Sequence, residues 1–209
     1  EICLDISSVP FLWVMPLALY LLTFVLAFAG VYQRVATGIL FAASAGAACV
    51  VTLRGPGTPI VWQVASASLA LFFGAWLCHG EVVRRRPDPL HLTTFYLHVA
   101  AGGAIGTLVS LAAPFVFRGF WEFPLFLFVT AAAFLAATMS AEATRTERWV
   151  ANGTILTAPV MVVVLLAWPG PTQPEVAVAS ARNFYGVLRV VDDVVPETPL
   201  MRRLRHGRI

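Results

Sequence analysis

The stretch VPFLWVMPLALYLLTFVLAFAG, residues 9–30, decides the fold class of this protein. It contains no charged side chain from one end to the other. A helix of about 20 apolar residues is long enough to cross the hydrocarbon core of a bilayer. A soluble domain cannot cover a helix that is apolar on every side as easily as lipid can, so the stretch predicts a transmembrane helix.

The composition of the whole chain also indicates a membrane protein. Of the 209 residues, 59% are hydrophobic and 12% are charged, whereas soluble domains carry about 25% charged residues. The net charge of +3 is small and spread over loops, which does not fit a nucleic-acid-binding module. Cys3, Cys49 and Cys78 match no metal or redox spacing, and we expect them to be packing residues.

Apolar runs and the charged or proline-rich loops between them predict about six transmembrane helices. We therefore expect an all-α, polytopic membrane helix bundle over residues 1–168 and an extramembrane linker and tail over residues 169–209. Within the tail, residues 180–191 (SARNFYGVLRVV) favour a strand or a short helix. The predicted spans are Val9–Gly30, Ala36–Leu53, Ile60–Cys78, Leu92–Phe117, Phe123–Met139 and Trp149–Trp168.

Arginine positions give two answers for the orientation in the membrane. The loops after spans one, three and five hold more arginines than the loops after spans two and four. This difference favours a cytoplasmic location for the loops after spans one, three and five. Six spans would then place the tail outside, although the tail is itself rich in arginine. The orientation therefore stays open.

Two stripes of small residues predict close helix packing. Gly38, Ala42 and Gly46 form one stripe, and Gly102 and Gly106 form a GxxxG pair. Such stripes let helix backbones approach closely, either inside one chain or between subunits. We expect packing within the chain and keep a subunit contact as the alternative.

Five polar residues near span ends form a candidate polar site. Ionisable groups at membrane depth are costly and often functional. His79 and Glu81 close the third span, His91 opens the fourth, and His98 lies two turns further on the same helix face, so these four could meet at one membrane surface. Glu122 opens the fifth span, where a carboxylate complements the helix dipole.

The polar site has a structural and a chemical interpretation. Near a span end, His and Glu can be hydrated or can cap helices, and this is the interpretation we favour. The alternatives are a substrate, proton or metal site, with a bis-histidine haem site the least favoured. We assign no cofactor and no metal. We expect Glu142, Arg145, Glu147 and Arg148 to be solvated in a polar loop.

Nucleotide-binding and hydrolase motifs are absent from the sequence. It contains no GxGxxG, no GxxxxGK[ST], no HExxH and no nucleophile elbow. We therefore do not expect this chain to be an enzyme on its own.

A set of short motifs resembles the bacterial membrane proteins called fused spermidine-synthase-like proteins. The motifs occur in the family's order and cover nearly the whole chain. They are residues 9–24 (VPFLWVMPLALYLLTF), 78–81 (CHGE), 84–87 (RRRP), 91–93 (HLT), 95–97 (FYL), 102–106 (GGAIG), 121–124 (WEFP), 183–190 (NFYGVLRV) and 204–207 (LRHG).

The resemblance implies a multi-helix, transporter-like membrane domain followed by a polyamine-synthase-like domain, in the bacterial cytoplasmic (inner) membrane. This chain resembles the second half of the membrane domain plus the linker, and the synthase-like domain's glycines and acidic residues have no counterpart. The family pattern marks His79, Glu81, His91 and Glu122. If a small amine is handled, Glu81 and Glu122 are its expected partners, with the two histidines tuning the charge.

Three function hypotheses follow. The first is a non-catalytic membrane module that anchors a synthase-like domain and handles a small amine. The second is an accessory structural subunit of a larger respiratory or photosynthetic complex, in which Gly102 and Gly106 face another chain. The third is a membrane-embedded enzyme that uses the His/Glu cluster. The first and third predict a hydrated cavity that reaches His79 and Glu81. The expected partners are the lipid bilayer, a missing synthase-like domain or other subunits, and no nucleic acid.

Overall fold

The computed structural model describes residues 10–54, 58–117, 122–139, 143–155, 176–183, 186–193 and 201–206. This part of the chain is mostly helical, as the apolar runs predicted. The helices are α1 (Pro10–Phe28), α2 (Arg34–Arg54), α3 (Ile60–Arg84), α4 (Leu92–Val116, after a 3-10 turn at Pro89–His91), α5 (Glu122–Thr138) and α6 (residues 145–155).

Most helix ends lie within a few residues of the predicted span ends, with one informative exception. The predicted third span ended at Cys78, whereas α3 continues to Arg84. No proline follows Cys78 until Pro87, and the one intervening glycine, Gly80, is tolerated inside a helix, so the polar residues after Cys78 remain helical. His79 and Glu81 therefore have fixed directions on α3 instead of lying in a loop.

Among the described residues, three helices are long and apolar enough to cross a membrane: Arg34–Thr52, Ile60–Arg84 and Pro89–Val116. Val14–Phe28 and Glu122–Thr138 are shorter apolar helices. These lengths and compositions are compatible with a membrane protein. The predicted sixth span lies outside the described residues beyond position 155.

Contacts along α3 give the directions of its neighbours. Helix α1 runs parallel to α3, because Met15 meets Ser68 and Thr23 meets His79. Helix α2 runs antiparallel to α3, since its first residue, Arg34, reaches Glu81 near the end of α3.

Helix α5 runs parallel to α3. Phe126 lies near Gly74, and the Ala137 carbonyl meets Arg85. One end of the bundle therefore gathers the ends of α1, α3 and α5 and the start of α2. We call this the polar end.

The core between α2, α3 and α5 is built from a few large side chains and many alanines. Phe41, Leu77 and Phe134 are almost completely buried. A Cβ on Gly38 would lie 2.8 Å from Val150 and 3.0 Å from Phe134, so Gly38 sits where α2 approaches α5 and α6. Gly46 faces open space among the described residues. The small residues allow the helix backbones to approach each other closely. The buried alanines of this core are Ala45, Ala48, Ala70, Ala131 and Ala151.

Helix α4 stands apart from this core. All of its residues from Tyr96 to Ala112 are exposed, and Ala113 is its buried residue. A groove therefore separates α4 from α3 and α5.

The C-terminal part of the chain forms an antiparallel sheet of order β1-β2-β3, with β1 (Val176–Asn183), β2 (Gly186–Asp193) and β3 (Met201–His206). Asn183 of β1 pairs with Gly186 of β2, and Asp193 of β2 pairs with Met201 of β3. The all-α prediction did not include this sheet. Of the two alternatives for residues 180–191, the strand is the one found, in keeping with the β-branched residues of β2.

Candidate functional site

A buried ion pair joins α2 to α3 at the polar end. Arg34 is the first residue of α2, and Glu81 lies in the last turns of α3. The Arg34 guanidinium donates from Nε to Glu81 Oε1 at 2.7 Å and from Nη2 to Oε2 at 2.6 Å. Their side chains are only 6% and 8% exposed. This two-bond geometry is the strongest form of an Arg–carboxylate contact.

Two further donors complete the surroundings of the carboxylate. The Tyr32 hydroxyl donates to Glu81 Oε1 at 2.8 Å, and Arg85 Nη1 donates to Oε2 at 3.0 Å. Each oxygen of Glu81 therefore accepts two hydrogen bonds. A carboxylate in this state has little capacity left to take a proton or to bind a further cation.

The network continues to α5 and α6. Arg34 Nη1 lies 3.5 Å from Glu147 Oε2, and Arg85 Nη2 donates to the Ala137 carbonyl at 3.1 Å. Two arginines and two glutamates thus connect four helices, and their charges cancel. We call Tyr32, Arg34, Glu81, Arg85 and Glu147 the ion-pair network.

Helix dipoles explain why Arg34 and Glu81 need each other. Arg34 stands at the positive N-terminus of α2, and Glu81 stands near the negative C-terminus of α3. Each charge is opposed by the dipole of its own helix. Because the two residues lie within a short distance of each other, each charge compensates the other's unfavourable position.

Glu147 belongs to a capping box at the start of α6. The Thr144 N–H donates to Glu147 Oε2 at 2.7 Å, and the Glu147 N–H donates to Thr144 Oγ1 at 3.3 Å. Glu147 is 9% exposed, so the prediction that it is solvated in a polar loop is wrong. The sequence Thr144-Arg-Thr-Glu147 matches the capping-box pattern, which indicates a helix start.

The environment of Glu147 favours its charged form. Burial raises the pKa of its carboxyl, but the hydrogen bond from the Thr144 N–H and the charge of Arg34 outweigh burial and hold that pKa below its usual value. The carboxylate is therefore the form that contributes to the network.

Gly80 gives Tyr32 its access to Glu81. The Tyr32 ring lies directly over Gly80, where a Cβ would overlap the ring. Burial, and then the neighbouring Glu81 charge, raise the pKa of the Tyr32 phenol well above its usual value. Tyr32 therefore remains a neutral hydrogen-bond donor.

His79 does not join Glu81, contrary to the predicted cluster. Residues two positions apart on a helix point in nearly opposite directions. His79 faces α1, where Thr23 Oγ1 lies 3.1 Å from its Nδ1 and the Tyr20 ring centroid lies 4.8 Å away. The Thr23 hydroxyl donates to the Tyr20 carbonyl, so Nδ1–H of His79 is the donor to Thr23. His79 thus links α3 to α1.

The other three predicted residues are spread along the bundle. His91 is exposed at the N-cap of α4. His98 is exposed and lines the groove, with its Nδ1 2.7 Å from the Thr94 carbonyl. Glu122 is the first residue of α5, where a carboxylate suits the dipole. About four turns of α5, roughly 22 Å, separate Glu122 from Ala137 at the polar end.

The groove between α3, α4 and α5 has a volume of ≈ 500 Å³. This lies within the range of about 300–1,000 Å³ typical of ligand pockets. It reaches Glu81 and His98, and His79 is not among its lining residues. Leu77, Phe95 and Phe134 contribute to a mostly apolar wall.

The groove and the network do not form a set of metal ligands. Within the described ranges, no three His, Cys, Asp or Glu side chains come together in a way that could hold a metal ion. Cys49 is buried in the core and Cys78 lines the groove, and both are free thiols. The arrangement is suited to holding helices together and to accepting an apolar group in the groove.

Sequence reasoning missed four of the five network residues: Tyr32, Arg34, Arg85 and Glu147. A signal was present for Arg34, because an arginine directly before an apolar run needs an acidic partner when the helix is embedded. The partner itself lies 47 positions away in sequence, and spacing alone does not identify it.

No protein-family model, no curated protein and no solved structure matches this chain.

Proposed function

We propose that this chain is a non-catalytic integral membrane module, a bundle of about six helices that anchors an extramembrane part. The observation that carries the proposal is the Glu81 carboxylate, which is buried and holds two arginines and a tyrosine. The most conspicuous ionisable residue of the apolar region is thus engaged in joining helices. The three long apolar helices support the membrane location.

The resemblance to fused spermidine-synthase-like membrane proteins stays a prediction. If it holds, the anchored extramembrane part is a polyamine-synthase-like domain. In this proposal the sheet of β1, β2 and β3 stands at the transition from the membrane bundle to an extramembrane domain. The bacterial inner membrane is the proposed location.

Membrane extraction and cysteine labelling test the proposal together. We expect the protein to stay with the membrane pellet in alkaline carbonate and to be released by detergent. In a background without native cysteines, Asp88→Cys and Thr146→Cys should react with an impermeant maleimide from one side and Thr58→Cys from the opposite side. Release by carbonate, or labelling of all three from one side, would contradict the proposal.

Handling of a small amine receives less support from the geometry. Glu81 is already neutralised by Arg34 and Arg85, so an amine would have to displace a guanidinium. Glu122 lies far from the polar end on α5. We expect spermidine to cause no shift in melting temperature that depends on Glu81. A shift in the wild type that is lost in Glu81→Gln would restore the amine hypothesis.

An accessory-subunit function is the second proposal, and the exposure of α4 favours it. A Cβ at Gly102 or Gly106 would meet nothing within 4 Å among the described residues, so this face is open to a second helix. Native mass spectrometry in mild detergent should then show co-purified subunits, and Gly106→Leu should release them. A single chain of unchanged mass in both proteins would exclude this function.

The membrane-embedded enzyme is the least supported hypothesis. Like amine handling in the first hypothesis, it required one cavity that reaches both His79 and Glu81. The two residues lie on different faces of α3, and the groove reaches Glu81 but not His79.

A further inference from the structure

We propose that the groove between α3, α4 and α5 binds one anionic membrane lipid, with an acyl chain in the groove and the phosphodiester headgroup at Arg85. The inference rests on the proposed membrane location and goes beyond the anchoring function. It assigns a ligand to a face of α4 that the helix core leaves uncovered.

The walls of the groove match a hydrocarbon chain. Leu77, Phe95, Val99 and Phe134 line it, and Gly102 lines it from α4. In a bilayer, water does not fill such an apolar space favourably, whereas an acyl chain does.

The exposed arginine at the groove favours an anionic headgroup. Two charged residues line the groove, Glu81 and Arg85. Glu81 is buried and engaged by guanidinium groups, while the Arg85 side chain is 51% exposed. Arg85 donates from Nη1 to Glu81 and from Nη2 to the Ala137 carbonyl. The exposed part of its guanidinium is the cationic surface at the groove, because the exposed Arg84 and Arg86 do not line it. Guanidinium groups bind phosphate oxygens well.

His98 gives the headgroup a second polar contact. Its Nδ1–H donates to the Thr94 carbonyl, which leaves Nε2 as an acceptor for a hydroxyl group of the headgroup, such as a glycerol hydroxyl of phosphatidylglycerol. His98 lies more than one turn along α4 from Leu92, so it stands deeper in the groove than the mouth. Arg85 and His98 thus approach the headgroup from two walls, α3 and α4.

Native mass spectrometry of the whole chain in detergent provides the test, with phosphatidylglycerol and phosphatidylcholine of identical acyl chains as probes. We expect the first phosphatidylglycerol to bind about tenfold more tightly than phosphatidylcholine, as one charge-assisted contact would give. Arg85→Gln should remove this preference. The matched control, Arg86→Gln, changes an exposed arginine that does not line the groove and should keep it.

A second pair of variants tests the acyl-chain part. Gly102→Leu fills the groove and Gly106→Leu makes the same change one turn away, outside the lining residues. Neither position has an atom within 4 Å of an added Cβ among the described residues, and leucine is a better helix former than glycine, so both variants should fold. Gly102→Leu should weaken phosphatidylglycerol binding about tenfold, and Gly106→Leu should not.

Three results would overturn the inference. They are equal binding of the two lipids by the wild type, equal losses in Arg85→Gln and Arg86→Gln, and unchanged binding in Gly102→Leu. Full competition by inorganic phosphate would also overturn it, because it would show a headgroup site without a chain. Carbonate extraction tests the membrane location separately, so a failure of lipid selectivity is distinguishable from a failure of the proposed function.

Discussion

At the scale of single residues, Arg34 and Glu81 determine how α2 and α3 meet. Each is buried, and each stands at the end of its helix where the dipole opposes its charge. A buried ion pair is weak evidence for stability as a whole, but removal of one partner leaves the other charge uncompensated. We therefore expect the pair to contribute mainly to the register between the two helices.

A double-mutant cycle should show this coupling. We expect Glu81→Gln to destabilise the protein by about 3 kcal/mol, because Arg34 would keep the longer contacts to Glu147 and to the Ala137 carbonyl and would lose its close carboxylate partner. Arg34→Gln should cost a similar amount, and the double variant clearly less than the sum. Melting temperature in detergent measures each effect, and the exposed Arg86→Gln is the control. Strict additivity would show that the two charges are not coupled.

Gly80 makes a second prediction at this scale. Gly80→Ala should displace Tyr32 from Glu81, because the new methyl group would occupy the position of the ring. Overpacking of this kind costs about 1–3 kcal/mol. The melting temperature should therefore fall in Gly80→Ala, whereas Gly106→Ala, at an open helix position, should not lower it.

The variant Tyr32→Ala tests whether Gly80→Ala destabilises the protein through steric overlap with the Tyr32 ring. With the ring removed, Gly80→Ala should cause no additional loss. If Gly80→Ala destabilises the Tyr32→Ala protein as much as the wild type, the overlap is not the cause.

At the scale of elements, α6 is held by its first turn. Thr144 and Glu147 satisfy each other's backbone N–H groups, and Glu147 also faces Arg34. This one glutamate therefore couples a local cap to the network that joins α2 and α3. Thr144→Ala should cost about 1 kcal/mol, the usual cost of losing an N-cap side chain. A melting temperature equal to that of the wild type would show that the cap contributes nothing.

The cap should also give the stability a pH dependence. The pKa of Glu147 is lower in the folded protein than its usual value. Its contribution is therefore present above the usual carboxyl pKa and is lost as the pH falls through the folded-state pKa. The difference in melting temperature between wild type and Glu147→Gln should shrink as the pH is lowered. A difference that stays constant down to acid pH would contradict this.

Helix positions were predictable from the sequence, and helix faces were not. The ends of α2 and α4 follow directly from charged or proline-rich loops, which interrupt apolar runs. The direction of a side chain from a membrane helix is harder to predict, because every face is apolar and no polar face marks the outside. Arg34 and Glu81 could be named as costly residues but not paired, since their contact spans 47 positions.

Two errors had a signal in the sequence. His79 and Glu81 are two positions apart, and helical geometry alone places them on different faces once α3 extends past Cys78. The capping box at Thr144 and Glu147 also follows a known pattern. The sheet was harder to predict, because short strands of a tail resemble loops until they pair.

At the scale of the whole molecule, the two ends of the bundle carry different charge. At the polar end, Arg34 is buried inside the network. Five further arginines there are exposed, and Arg85 among them also belongs to the network: Arg84, Arg85, Arg86, Arg145 and Arg148. At the opposite end, Arg54 is the exposed arginine among the described residues. Arginines in short loops are retained in the cytoplasm.

The asymmetry predicts that the polar end faces the cytoplasm. An impermeant maleimide should therefore label Asp88→Cys and Thr146→Cys in inverted vesicles and not in intact cells, with Thr58→Cys showing the reverse. Replacement of both Arg84 and Arg86 by glutamine removes exposed charge and leaves the hydrogen bonds and ion pairs of the network in place, so it should produce a mixed population in which each site is labelled from both sides. If the wild type instead shows Asp88→Cys at the outer surface, the exposed arginines of the polar end do not determine the orientation, and the polar end with its lipid groove faces the outer leaflet.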